Sequence, residues 1–219
     1  MNQLFRPAAN TIARLSLLAS LLAGVVILAL LLVNDQSPYT RASVGIAIEQ
    51  PVRFSHKLHS DQLNIECLYC HATAEQSSYG GIPDTHTCMS CHSQIATYST
   101  LLEPVRTSYA TGERLVWEKV HDLAEHVYFN HSIHVQAGFA CETCHGRVDQ
   151  MVVAWQAQNM TMDWCLECHW EPEEYIRPVE EVYTFGYEAP EDQVELGMQL
   201  VAFHEIDVDR LDSCSICHR

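Results

Sequence analysis

The sequence predicts a mainly α-helical chain with extensive loops and little regular core, carried on a single N-terminal transmembrane helix. Two observations predict it. Residues 15–33 (LSLLASLLAGVVILALLLV) hold no charge, and five copies of a Cys-x-x-Cys-His motif crowd the remaining length. A chain of 219 residues is bounded to one or two small domains.

The apolar run comes first. As a helix at ~1.5 Å per residue it spans ~28 Å, close to the ~30 Å hydrocarbon core of a bilayer. A cleaved signal peptide has a shorter apolar region, about 7–15 residues, ending in small residues. This run ends Leu-Leu-Leu-Val-Asn, so an uncleaved single-pass anchor is expected. Arg6 and Arg14 precede it, and Arg41 and Arg53 follow, which is only a weak positive-inside bias. Gly24 reads as an ordinary membrane glycine.

The five motifs are Cys67-Leu-Tyr-Cys70-His71, Cys88-Met-Ser-Cys91-His92, Cys141-Glu-Thr-Cys144-His145, Cys165-Leu-Glu-Cys168-His169 and Cys214-Ser-Ile-Cys217-His218. This pattern attaches c-type haem: the two thiols form thioethers to the vinyl groups, and the histidine ligates the iron from the proximal side. One copy alone would also suit a redox or zinc dithiol. Here all ten cysteines of the chain fall inside the motifs, so five c-type haems and no disulfide are expected. His71, His92, His145, His169 and His218 are the expected proximal ligands. The porphyrins would supply much of the buried apolar surface, which is why a multihaem cytochrome c domain of short helices and wrapping loops is expected. Bacteria attach c-type haem outside the cytoplasmic membrane. The expected location is therefore the bacterial inner membrane, with the N-terminus cytoplasmic and the haem domain periplasmic or extracytoplasmic.

Phe54-x-His56-x-x-His59 stands before the first two motifs, and Phe129-x-His131-x-x-His134 before the third and fourth. This repeat of about 75 residues suggests a duplicated dihaem module, with the fifth haem added at the C-terminus. Histidines at i and i+3 on a helix project from one side and sit ~4.5 Å apart along the axis. They cannot grip both faces of one porphyrin, but they can ligate two neighbouring irons. His56, His59, His131 and His134 are thus expected distal ligands, against the alternative of solvated or packing histidines. For the remaining iron the first candidate is His121, on an apolar-periodic stretch (Val120, Leu123, Ala124, Val127) expected to be helical. Met162 and His204 are its rivals. His86 and His126 read as surface residues or as supports for a ligand.

The expected divisions are a cytoplasmic tail and anchor (1–33), a linker (34–53), the first dihaem module (54–92), a connector (93–128), the second dihaem module (129–169), and an acidic arm with the fifth haem (170–219). Gly80-Gly81-Ile82-Pro83 reads as a tight turn, and Val194–Val201 with Phe203 as a short helix. Residues 171–195 hold eight glutamates, one aspartate and one arginine, and read as a loop-rich arm, a docking surface or a solvated linker. Formal net charge is −16, and the only charges before residue 34 are two arginines. So acidic a domain offers no basic face for nucleic acid. It suits a basic redox partner such as a small soluble cytochrome, or simple solubility.

The runs FSHKLH, GIPDTHTCMSCH, KVHDLAEHVYFNHSIHV, CETCHGRVDQM and MTMDWCLECH, with the anchor and the closing CSICHR, resemble the pentahaem cytochrome subunit of bacterial alternative complex III. The Phe-x-His-x-x-His element is shared more widely with cytochrome c3-like multihaem proteins. The resemblance implies a subunit that relays electrons from quinol oxidation to a soluble cytochrome c, a blue-copper protein or an oxidase. It implies an iron–sulfur subunit, integral membrane quinone-binding subunits and a monohaem cytochrome c as partners, beside the lipid bilayer. No catalytic residue is expected. A multihaem reductase would need an open iron position, and in the nitrite reductases of this kind a lysine replaces one proximal histidine; all five motifs here end in histidine. A stand-alone membrane quinol dehydrogenase with one anchor and several haems is the other alternative.

Overall fold

The computed structural model describes residues 8–34 and 44–218, without the side chains of 32–34. Arg6, Arg41, Arg219 and the first half of the predicted linker lie outside the described residues. The chain divides into two units, residues 1–42 and 43–219.

Among its described residues the first unit forms one helix, α1 (Ala8–Asn34, 27 residues). Its stretch Ala8–Leu31 is long and apolar enough to cross a membrane, and none of it is buried within the chain. Leu17 and Leu22 are 71% and 68% exposed. A helix that is apolar all round needs lipid or a protein core to cover it. α1 begins earlier than the apolar run because Ala8, Ala9 and Ala13 are strong helix formers.

The second unit is helical and loop-rich. Its helices are α2 (Cys67–Cys70), α3 (Thr85–His92), α4 (Glu103–Thr111), α5 (His131–Gln136), α6 (Cys141–His145), α7 (Met162–Trp170), α8 (Gln193–Phe203) and α9 (Cys214–Cys217). No β-strand occurs among the described residues, only isolated bridges such as Phe139 with Ile176. The helices are short, and local chemistry sets their ends. The Asp84 side chain accepts from the Thr87 amide at 3.0 Å to start α3, and Asn130 accepts from the Ser132 amide at 3.1 Å to start α5. Pro104 opens α4, and Gly112 closes it at φ +74°.

The buried apolar set is small: Val52, Val105, Val135, Ala140, Met151, Ile176 and Val182. Much of it gathers around α6. The segment expected as an arm remains irregular, with 3₁₀ turns at Pro172–Glu174 and Val179–Glu181. It is not a solvated linker, however, because Pro172, Ile176, Arg177 and Val182 are buried. The Arg177 amide donates to the Gly138 carbonyl at 3.0 Å, and the Cys141 amide to the Val182 carbonyl at 3.3 Å. The apolar residues between the glutamates therefore fold the segment back on α6.

Two local expectations differ. Residues 121–127 are not helical: they run without regular structure to a bridge between Val127 and His218. The Tyr128 amide donates to the Cys217 carbonyl at 2.7 Å, so contact with α9 outweighs the helical spacing. The turn near Gly80 lies earlier, at 72–76, and Gly81 leads out of it at φ +82°.

Gly197 in α8 is buried, and a Cβ there would strike the Glu173 carbonyl. Gly197→Ala is expected to cost about 1–3 kcal/mol by overpacking this crossing. Thermal melting of the haem-loaded protein should show the loss; an unchanged midpoint would mean that α8 does not pack there.

Candidate haem-binding sites

Each motif folds as a helical turn that puts its two thiols on one side and the histidine just beyond. α2, α6 and α9 are little more than the motif, whereas α3 and α7 carry theirs at the C-terminal end. None of the ten cysteines is joined in a disulfide. Burial, then the Cys168, Cys165 and Cys141 thiols, push Cys144 up to about 12. Burial also raises Cys141 to about 11, with Cys67 next in effect.

His56 and His59 come from a single π-helical turn, Lys57–Gln62 with His56 at its N-cap. His131 and His134 come from α5. Each of these four imidazoles faces a motif histidine. Ring centroids lie 6.4 Å apart for His56 and His71, at 8° between planes. They lie 6.4 Å apart for His131 and His145, at 9°. His134 and His169 stand at 6.3 Å and 24°, and His59 and His92 at 6.1 Å and 66°. A metal–imidazole bond is about 2.0 Å, and the ring centre lies roughly 1.1 Å behind the nitrogen, so two imidazoles sharing one metal have centroids about 6.2 Å apart. Among the described residues no three His, Cys, Asp or Glu side chains converge as a bare metal site would require. The imidazoles stand in facing pairs instead, as an iron porphyrin needs.

The second ring nitrogen supports the same fit. His71 Nδ1 donates to the Gly81 carbonyl at 2.6 Å, His92 to Ile95 at 3.0 Å, His169 to Leu211 at 2.8 Å and His218 to His126 at 3.0 Å. On the facing side His59 donates to Ser55 at 2.9 Å, His131 to Ser78 at 2.9 Å and His134 to Asn130 at 2.8 Å. Holding Nδ1–H on a carbonyl fixes the tautomer and leaves Nε2 for a metal. Burial lowers His56 to about 4, with His71 and His59 adding to the effect. Burial, then His121 and the other nearby imidazoles, lower His145 to about 3. Both are neutral at pH 7, the form a metal binds.

Residues 133–219 match the cytochrome c3 family. The matched stretch holds His134 and the third, fourth and fifth motifs. The multihaem cytochrome c subunit of a menaquinone reductase from Nitratidesulfovibrio vulgaris is 34% identical over 98 residues, covering 44% of this chain and 46% of that protein. The chain spans about half the length of the curated relative it matches. Together with the motifs, these similarities make this chain a multihaem c-type cytochrome.

Sequence reasoning gave Phe54 and Phe129 a place in the motif but no task. In this cytochrome they are wedges. Phe54 stacks on His59 at 4.4 Å and meets His56 edge-on at 4.9 Å. Phe129 does the same to His134 and His131, at 4.5 and 4.8 Å. Their repeated position two residues before the first histidine was the available signal.

The fifth motif is less complete. The ring beside His218 is His126, at 5.4 Å, and its carbonyl takes the Nδ1 proton, so it supports His218 from behind. His121 lies edge-on to His145 at 4.4 Å. His121 Nε2 and His204 Nε2 are both buried without a hydrogen-bond partner. Met162 is 67% exposed. His86 lies at the surface beside Asp84 and Tyr109.

Proposed function

We propose that this chain is a membrane-anchored pentahaem electron relay, working as a subunit of a quinol-oxidising complex of the alternative complex III type. The observation that carries the relay reading is the set of four facing imidazole pairs. When bound, c-type haem supplies a one-electron couple whose potential the axial ligands and burial tune over ~0.8 V. The protein's part would be to hold four such groups between facing imidazole pairs and to orient those imidazoles through the carbonyls that take their Nδ1 protons. For the fifth site His204, whose buried Nε2 lacks a hydrogen-bond partner, is the candidate for the second ligand, since His121 lies against His145 of the third.

The partners in this proposal are an iron–sulfur subunit, integral membrane quinone-binding subunits and a monohaem cytochrome c. The acceptor is a soluble cytochrome c, a blue-copper protein or an oxidase. The N-terminus is cytoplasmic and the haem domain faces the other side of the membrane. The name of the Nitratidesulfovibrio relative favours a second reading, in which electrons run toward menaquinone. Purification from native membranes tests both. Quinol-dependent reduction of cytochrome c by the intact complex is the expected result, whereas menaquinone reduction without it would give the second reading.

Two further measurements bear on the relay. Intact mass should show five haems on one chain; three or fewer would remove the pentahaem reading. The reduced protein should bind almost no carbon monoxide. Strong binding at one site would mean an open iron and point to an enzyme.

A further inference from the structure

We infer that the five attachment sites stand in one unbranched row, in the order second, first, third, fourth, fifth as numbered along the sequence. The ends are then the sites of Cys88–His92 and Cys214–His218. This deepens the relay reading and rests on it.

The row is assembled from four junctions. The second and first sites share the turn bearing His56 and His59, whose rings face His71 and His92. Their motifs also touch directly, Tyr69 Oη against Ser90 Oγ at 2.8 Å. The third and fourth sites share α5 in the same way, through His131 and His134.

The junction between modules decides whether the order follows the chain. The loop behind His71 carries α5: Ser78 O accepts from His131 Nδ1, Ser77 O from the Ser132 amide at 3.1 Å, and Glu75 O from Gln136 Nε2 at 2.6 Å. Gly80 lies against the His131 ring, where a Cβ would come within 3.3 Å of Nε2. The first site, not the second, therefore adjoins the third. α3, which carries the second motif, packs on α4 instead, with Ser108 Oγ donating to Thr85 Oγ1 at 3.4 Å.

At the other end, His169 Nδ1 donates to the carbonyl of Leu211, just before the fifth motif. α7, which carries the fourth motif, also packs on the 3₁₀ turn Val208–Arg210 that leads into the fifth. A separate observation agrees with the assigned ends. Of the ten motif cysteines, Cys91 and Cys214 are the exposed ones, one in each end site. Redox partners can approach the row there.

Iron positions in the haem-loaded protein test this, by anomalous diffraction or by a cryo-electron microscopy map of its native complex. The iron of the first motif should lie between those of the second and third, and the iron of the fourth between those of the third and fifth. A second-motif iron nearest the third, or a fifth-motif iron nearest the third or second, overturns the row. An iron count of three or fewer removes the pentahaem reading itself, and failure of quinol-dependent reduction leaves the order untouched. In solution, Cys88→Ala with Cys91→Ala should leave four haems and shift the midpoint potential of one of them. Shifts in two or more would overturn the terminal place of that site.

Discussion

His56→Ala and His131→Ala are each expected to turn one low-spin haem of the five into a high-spin, five-coordinate one that binds carbon monoxide. The imidazoles of His56 and His131 face His71 and His145 at 6.4 Å, and their planes are nearly parallel in both pairs. Phe54 and Phe129 brace the two rings edge-on at 4.9 and 4.8 Å. Truncation to alanine removes the imidazole that faces the motif histidine. The neighbours His59 and His134 cannot substitute, because each faces its own motif histidine. The change should appear in about one fifth of the absorbance and of the low-spin electron paramagnetic resonance signal. An unchanged low-spin spectrum would take that residue out of the ligand set. Phe54→Ala is the milder companion: all five haems should stay low-spin while the potentials of the first two move, since the ring orients ligands without being one.

Cys141→Ala combined with Cys144→Ala is expected to abolish accumulation of the folded chain, while Cys214→Ala with Cys217→Ala should yield a four-haem protein. The contrast follows from enclosure. Ala140 is 2% exposed, and the returning segment covers α6 through Ile176 and Val182, at 0% and 1%. Gly138 is held at φ +94°, where a Cβ would strike the Arg177 carbonyl, so backbone closes this side as well. Glu142 ties the segment down: it accepts from the Gly186 amide at 2.9 Å and lies 3.8 Å from the Arg177 guanidinium. Emptying a site the size of one aromatic side chain costs ~3–5 kcal/mol, and a porphyrin is larger. Against a net stability of about 5–15 kcal/mol, that loss takes most or all of the margin. The fifth motif is at the periphery, with Cys214 exposed, and its emptying leaves less of a void. Yield, haem content by mass and protease resistance would compare the two. Equal accumulation of both variants would mean that the third site is not central.

Much of this molecule was legible from its residues. The five motifs, the repeated Phe-x-His-x-x-His element and the apolar run of α1 are contiguous signals. Thioether attachment needs both thiols on one helical turn beside the ligand, so covalent chemistry writes each motif into five adjacent residues. The predominance of short helices and loops followed from the same crowding.

Elsewhere a local pattern pointed the wrong way or was silent. Residues 121–127 carry a helical spacing, yet the His126 carbonyl accepts from His218 Nδ1 and the next amide, that of Tyr128, donates to the Cys217 carbonyl, each more than 85 residues away in sequence. The many charges of residues 171–195 suggested a solvated arm, but burial is decided residue by residue, and Ile176 and Val182 found α6.

By itself, then, the sequence determined where the attachment motifs and the repeated histidine pairs stand and that one long apolar helix precedes them. Only the tertiary structure decided which imidazole faces which, that Phe54 and Phe129 wedge them, and that the loop behind His71 seats α5. The reason is reach. Attachment is a bond made within one turn, whereas facing pairs, carbonyl acceptors such as Leu211 for His169, and the junction between the two modules join residues tens of positions apart. No local spacing encodes them.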